Sequence, residues 1–94
     1  MTNYYAVIPA YVRYNLKLNP NTILLYGEIT ALCNTDGICK IDKEYFALLY
    51  NVSKASITRW LNTLMRYGYI LFTPTENKNE VIIHLQTGGV IGGE

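Results

Sequence analysis

Residues 43–70 read KEYFALLYNVSKASITRWLNTLMRYGYI, and this segment is the most informative part of the chain. Its first part has the pattern of a short helix that carries Ala47, a residue small enough for a second helix to cross it closely. Asn51 follows four residues later, and asparagine is one of the few non-glycine residues that tolerate a left-handed turn. Ser53 can then accept a hydrogen bond from the free amides that begin another helix. The stretch therefore predicts two helices joined by a tight turn.

The second of these helices has a continuous apolar face and an identifiable end. Four apolar residues recur at the spacing of one helical face: Ile57, Trp60, Leu61 and Leu64. Gly68 stands just beyond the last turn, and Arg66 lies where a cation favours the helix dipole. Two helices joined in this way form a helix-turn-helix, whose second helix ordinarily enters the major groove of DNA.

Two β-rich runs follow the second helix, in residues 69–85. Tyr69 to Thr73 and Glu80 to Leu85 are predicted to pair as an antiparallel hairpin, with Glu76 to Asn79 at its tip. Gly37 to Ile41 is predicted to be a short strand that pairs beside this hairpin. A helix-turn-helix followed directly by such a hairpin is a winged helix. The fold class we expect is therefore α+β, a three-helix core with a small antiparallel sheet.

A third helix precedes the helix-turn-helix. Asn19 followed by a proline is a good helix start, and the helix is expected from Pro20 to about Cys33. It is apolar almost all round, with Glu28 as its only charge, and Gly27 would let another backbone approach. Such a helix is either central to the core or partly covered by a partner. Asp42 can cap the helix that comes next.

The segment before this helix is expected to be an extension of the domain. Tyr4 to Ile8 is aromatic and β-branched, which predicts a short strand leading into a helical turn at Pro9 to Tyr14. We therefore divide the chain into an N-terminal extension that packs on the domain (1–19), the winged helix-turn-helix (20–86) and a flexible glycine-rich tail (87–94).

Composition excludes several classes of protein. A chain of 94 residues, half of them hydrophobic and 16% charged, is one packed domain rather than a disordered segment. No apolar run approaches the length that spans a membrane, and the first residues lack a basic signal-peptide start, so we expect a cytoplasmic protein. Cys33 and Cys39 suit a reducing compartment and are expected to fill space at a helix end and in a short strand.

The positions of the charged residues favour DNA binding more than the net charge does. The net charge is only +1, but residues 45–75 contain three charges, all positive: Lys54, Arg59 and Arg66. The predicted second helix of the helix-turn-helix is therefore wholly cationic. Its field is small, so one copy should bind non-specific DNA weakly and in a salt-sensitive manner. Additional affinity would come from dimerisation, another domain or several copies side by side.

A helical projection identifies the residues expected to contact DNA. A projection at 100° per residue, with Ile57 at the centre of the buried face, identifies the residues on the opposite face. Residues at the start of the helix and at the hairpin tip are added to these, because both can reach DNA. The set is Ser53, Lys54, Ala55, Ser56, Thr58, Arg59, Asn62, Arg66, Asn77 and Lys78. We expect Arg59 to contact a base, guanine being the best partner, and Lys54 to contact a phosphate. The alternative is that these cations are solvated surface charges.

Several other residues admit two interpretations. Trp60 could stack on a base, but it shares the apolar face and is expected in the core. The tyrosines could line a nucleic-acid surface, yet the helical spacing of Tyr26, Tyr45 and Tyr50 favours partial burial. His84 is the one histidine, and without a CxxC motif no metal site is expected. The sequence also contains no arrangement typical of catalysis or of cofactor binding, so no enzymatic activity is expected.

Two runs carry a resemblance to a known family: NPNTILLYGEITALCN at 19–34 and YNVSKASITRW at 50–60. From Tyr4 to Leu85 the chain is similar to the N-terminal winged-helix domain of replication initiators from phages and mobile elements of low-GC Gram-positive bacteria, such as replisome organisers and DnaD-type replication proteins. The resemblance implies binding of origin DNA or self-assembly. It also implies that a region beyond Glu94 engages a helicase loader or helicase.

The chain departs from that family at two positions. Asn51 stands where glycine is common, and Ala55 stands where a basic residue often follows the lysine. The first change is conformationally tolerable, whereas the second removes one expected phosphate contact.

Two classes of function are compatible with these residues. One is double-stranded DNA binding within a replication initiator, with transcriptional regulation as a variant of the same chemistry. The other is a protein-interaction or dimerisation module that contacts DNA little, which the low net charge and the apolar first helix favour. For a DNA binder with so few cations we expect a homodimer, paired through apolar residues near the N-terminus: Tyr4, Tyr5, Val7 and Ile8.

Overall fold

The computed structural model describes residues 6–86, which form four helices and three strands. In chain order these are α1 (Ala10–Arg13), α2 (Pro20–Leu32), β1 (Ile38–Asp42), α3 (Lys43–Tyr50), α4 (Lys54–Arg66), β2 (Ile70–Pro74) and β3 (Glu80–Leu85). The strands form one antiparallel sheet in the order β1-β3-β2. The predicted α+β winged helix-turn-helix is confirmed, with α3 and α4 as the helix-turn-helix and the β2–β3 hairpin as the wing.

Local signals begin and end the helices where the sequence predicted them. Asn19 caps α2 by accepting from the Thr22 N–H through its side chain at 2.8 Å, and Asp42 caps α3 by accepting from the Glu44 N–H at 2.9 Å. Asn51 ends α3 in the left-handed conformation, with φ of 57° and ψ of 49°. Because these signals act within a few residues, the helix boundaries follow from sequence alone.

One apolar core joins the three longer helices to the inner face of the sheet. The predicted face of α4 is buried throughout, and Trp60 lies in the core, 6% exposed and edge-on to the Tyr50 ring at 6.2 Å. The core centres on large, fully buried side chains from α2, α3, α4, β2 and β3: Leu25, Ile29, Phe46, Ile57, Leu61, Leu64, Ile70 and Ile83. Burial of this apolar surface is the main force that holds α4 in place.

The two cysteines are buried and free, at the positions expected of space-filling residues. Cys33 follows the last residue of α2, and Cys39 lies in β1. A hydrogen bond between the two thiols raises the pKa of Cys39 and lowers that of Cys33.

The N-terminal segment differs from its prediction. The expected strand at Tyr4 to Ile8 is wrong for the part that lies within the described residues, because residues 6–9 form no strand. The Val7 N–H instead donates to the Thr30 hydroxyl of α2 at 2.9 Å, and Ile8 is half-buried against the core beside Gly27. Ile8 is therefore not the exposed residue that we expected. Gly27 accommodates side chains of this segment rather than another backbone.

Two further expectations concern the tyrosines and the ends of the chain. Tyr26 is buried and Tyr50 half-buried as expected, but Tyr45 is 57% exposed because it lies on the outer side of α3. The predicted tail at 87–94, together with Tyr4 and Tyr5, lies outside the described residues. No helix within residues 6–86 is long and apolar enough to cross a membrane.

Candidate nucleic-acid interface

The turn between α3 and α4 sets the direction of the candidate recognition helix. Because Asn51 adopts the left-handed conformation, the chain reverses at once and the Val52 N–H donates back to the Ala47 carbonyl at 2.9 Å. Ser53 then caps α4, its hydroxyl accepting from the Ser56 N–H at 3.1 Å. One hydrogen bond across the turn and one at the cap therefore fix the start of α4.

The outer side of α4 carries polar and cationic residues along its whole length. Four residues three or four positions apart are exposed and form one stripe: Ala55, Arg59, Asn62 and Arg66. Ser56 and Thr58 flank this stripe and are half-buried. A helix of 13 residues is about 20 Å long, so the stripe is long enough to follow a major groove. The division into a buried and an exposed face is as the helical projection predicted, except that Thr58, expected on the outer side, is half-buried. Contact with DNA remains a prediction.

Arg59 is turned toward the beginning of α4. One guanidinium nitrogen, Nη2, donates to the Ser56 hydroxyl at 3.2 Å, and the Ser53 hydroxyl donates to the same oxygen at 3.2 Å. A guanidinium has five N–H donors in a planar fork, so most of the donors of Arg59 remain for a base edge or a phosphate. This short network gives Arg59 a preferred direction on an otherwise exposed surface.

The wing tip lies beside the start of α4. The Lys54 ammonium donates to Oδ1 of Asn79 at 3.0 Å. Within the tip, Oδ1 of Asn77 accepts from the Asn79 N–H at 2.9 Å, and Lys78 is exposed. The structure therefore brings Lys54, Asn77 and Lys78 to one end of α4, whereas Arg66 lies in the last turn at the other end.

Two residues near the interface, Lys43 and Glu44, were not predicted from the sequence. The Lys43 ammonium donates to the Thr58 hydroxyl at 3.3 Å, which places a cation from α3 beside the outer side of α4. Oε1 of Glu44 accepts from the amide nitrogen of Asn79 at 3.5 Å, so an acidic group also reaches the wing tip. The capping signal at Asp42 predicts that Lys43 and Glu44 lie in the first turn of α3. Only the tertiary fold brings Lys43 to Thr58 and Glu44 to Asn79.

The outer side of α4 and the wing tip form an open surface. Within residues 6–86 there is no pocket, and no three His, Cys, Asp or Glu side chains are grouped as metal ligands would be. The arrangement presents hydroxyl, amide and cationic donors on a convex helix with a neighbouring hairpin. Such donors are those that contact phosphates and base edges in protein–DNA complexes.

Comparison with known proteins agrees with this geometry. A protein-family profile described as "Helix-turn-helix domain" matches residues 16–70, which is more than half of the chain and includes α2, β1, α3 and α4. No curated protein and no solved structure matches the chain.

Proposed function

The chain belongs to the helix-turn-helix domain family, and from that premise we propose that it binds double-stranded DNA with α4 in the major groove. The observation that carries the proposal is the exposed stripe on α4, which holds Arg59, Asn62 and Arg66 without an acidic residue on the helix. The wing tip stands beside the start of the same helix and supplies a second contact through Lys78 and Asn77. Arg59 reads a base, and Lys54 contacts a phosphate.

We further propose that this DNA binding serves replication initiation in a phage or mobile element. The support is the resemblance in residues 19–34 and 50–60 to the winged-helix domains of such initiators. In this proposal the domain recognises origin DNA in the cytoplasm, and sequence beyond Glu94 engages a helicase loader or helicase. Transcriptional regulation is the variant that uses the same contacts.

Arg59→Ala is the most direct test of the binding surface. A random duplex library enriched on the wild-type protein would supply a preferred site, and fluorescence anisotropy would then compare that site with a shuffled duplex. Loss of a bidentate base contact costs about 1 to 3 kcal/mol, so Arg59→Ala should bind the preferred site about 5- to 150-fold more weakly and lose selectivity.

The matched control for that experiment is Lys17→Ala. Lys17 is exposed in the segment between α1 and α2, and its loss removes one positive charge as Arg59→Ala does. It should bind nearly as tightly as the wild type and with full selectivity. Wild-type affinity and selectivity in Arg59→Ala would show that α4 does not read DNA in this way.

The preferred site also separates the two biological roles. Repeats of the recovered sequence within a replication origin would support an initiator. Single copies upstream of unrelated genes would support a regulator instead. Both results can be obtained without altering the protein.

We propose that the DNA-bound form is a homodimer. The described domain offers few cations, so two copies of α4 on paired half-sites would multiply an individually weak contact. Val7 is 55% exposed near the N-terminus and remains available for such pairing, whereas Ile8 is used inside the domain. Sedimentation with one half-site and with a paired site tests this proposal. One copy on each duplex with equal affinity would refute it.

A second candidate function, a protein-interaction module, is favoured by the outer side of α3. Three large side chains there are exposed: Tyr45 at 57%, Leu48 at 79% and Leu49 at 51%. Apolar groups clustered on one short helix are typical of contact surfaces. Under this alternative the wild type does not bind DNA, and Leu48→Asp abolishes self-association or partner binding. Leu16→Asp, at an isolated and 97% exposed leucine, is the matched control.

A further inference from the structure

One side chain at the wing tip links the two helices of the helix-turn-helix. The carboxamide of Asn79 accepts from the Lys54 ammonium of α4 at 3.0 Å through Oδ1 and donates to the Glu44 carboxylate of α3 at 3.5 Å through Nδ2. Its backbone carbonyl accepts from the Lys43 N–H at 2.7 Å. The start of α3, the start of α4 and the wing therefore converge on one residue.

The chemistry of the two neighbours suits a carboxamide at this position. An ammonium can only donate hydrogen bonds, and an ionised carboxylate can only accept them. A side chain between them must accept at one end and donate at the other, which Asn does and Asp or Ala does not. The same requirement sets the orientation of the amide, with its oxygen toward Lys54.

Asn79 also occupies the space between opposite charges. Lys54 and Glu44, which carry opposite charges, contact the two ends of one amide group. Without the amide, the flexible lysine side chain could bend toward the carboxylate and pair with it directly. A lysine paired in this way has less to gain from a phosphate, because it must first give up its partner.

We propose that Asn79 is a positioning residue for DNA binding: it holds the Lys54 ammonium at the wing-side edge of α4 and keeps it apart from Glu44. The inference rests on the proposed function, since it names the residue that makes one of its phosphate contacts available. Asn79 acts through Lys54 and need not contact DNA itself.

The test is a set of four proteins measured by anisotropy with one duplex over a range of salt concentrations: wild type, Asn79→Ala, Glu44→Gln and the double variant. One phosphate contact contributes about 0.9 to the slope of log affinity against log salt. Because an exposed ion pair is worth at most about 1 kcal/mol, Asn79→Ala should flatten the slope by up to about 1 and weaken binding by up to about fivefold near 0.1 M salt. In the double variant Lys54 no longer has a carboxylate to pair with, so most of the affinity and slope should return.

Two more variants separate positioning from a general effect on the fold. Asn79→Asp should bind more weakly than Asn79→Ala, because a carboxylate there holds the ammonium and repels phosphate. Asn21→Ala, at an exposed asparagine of α2, should bind as the wild type does. Thermal melts of all variants check the fold. A loss of binding that follows a loss of stability, and that Glu44→Gln does not restore, would assign Asn79 a structural role and overturn the inference.

The outcomes also distinguish this inference from the function on which it rests. If the wild type binds and Asn79→Ala binds equally well with the same salt slope, the inference is overturned and DNA binding stands. If the wild type binds no duplex from the enriched library at any salt concentration, the proposed function itself is overturned.

Discussion

The contact between Gly27 and the N-terminal segment yields a prediction that can be worked out quantitatively. A Cβ added to Gly27 would lie 3.0 Å from Cγ1 and Cδ1 of Ile8 and 3.1 Å from Cβ of Ala6. Ordinary contacts between carbon atoms are about 3.5 to 4.0 Å long. Gly27→Ala must therefore displace the segment that packs on α2.

Two opposing effects determine the result. Replacing glycine by alanine inside a helix stabilises it by about 0.8 to 1.0 kcal/mol, whereas overpacking a well-filled site costs about 1 to 3 kcal/mol. We expect Gly27→Ala alone to lower the free energy of unfolding by about 1 kcal/mol. In an Ile8→Ala background two of the three close atoms are absent, so Gly27→Ala should instead raise it by about 0.5 kcal/mol.

The assay is a double-mutant cycle by urea denaturation with four proteins: wild type, Gly27→Ala, Ile8→Ala and the double variant. The expected coupling is about 1.5 kcal/mol and favourable, within the range for residues in direct contact. Circular dichroism would check that the total helix content is unchanged in each. If Gly27→Ala changed stability equally in both backgrounds, to within about 0.5 kcal/mol, Ile8 would not pack on Gly27 and the packing described for the N-terminal segment would be wrong.

The remaining predictions concern the core, the turn and the response to alkali. Trp60→Ala should lower the free energy of unfolding by roughly 3 to 5 kcal/mol in urea titrations, and a fully stable variant that had lost only DNA binding would place Trp60 at the interface instead. Asn51→Gly should preserve the melting temperature, whereas Asn51→Val should cost about 1 to 2 kcal/mol because φ is positive; equal melting of the two would contradict the left-handed turn. Burial raises the pKa of Tyr50 from 10.0 to about 12, with a smaller effect of nearby Glu28, so above pH 10.0 the unfolded chain loses a proton that the folded chain retains. The stability linked to Tyr50 is thus fully present below pH 10.0 and declines as the pH rises toward 12. Between these values the melting temperature of Tyr50→Phe should fall less steeply with pH than that of the wild type. Tyr14→Phe, at an exposed tyrosine, is the control and should behave as the wild type does.

The features that sequence predicted are those set by neighbouring residues. The caps at Asn19, Asp42 and Ser53 each satisfy amides two or three positions ahead, and the apolar face of α4 recurs within one helix. These are local rules of hydrogen bonding and periodicity, so they hold before the tertiary fold is known. They sufficed to predict the winged helix and the division of α4 into a buried and an exposed side.

The features that sequence missed depend on contacts between distant parts of the chain. The pattern at Val7 and Ile8 favours a strand, but Thr30 offered a hydrogen-bond acceptor and Gly27 an opening, so the segment packs on α2. Likewise Glu44 is charged and exposed at the start of α3, and only the position of the wing places it next to Asn79. The secondary-structure propensity of a segment does not indicate which distant part of the chain will pack against it.

The pairing of β1 with β3 has a consequence for the order of folding. These strands are neighbours in the sheet, but α3, α4 and β2 lie between them in sequence, so the ladder from Ile38↔His84 to Asp42↔Glu80 joins the two ends of a long loop. Closing such a loop costs more entropy than the short turn between α3 and α4, and we therefore expect helical contacts to form before the ladder does. In that order, the helix proposed to contact the groove forms early and the strand behind the wing tip pairs late. A duplex held by both would bridge them, and DNA binding would stabilise the native protein against the opening of its last-formed strand pair.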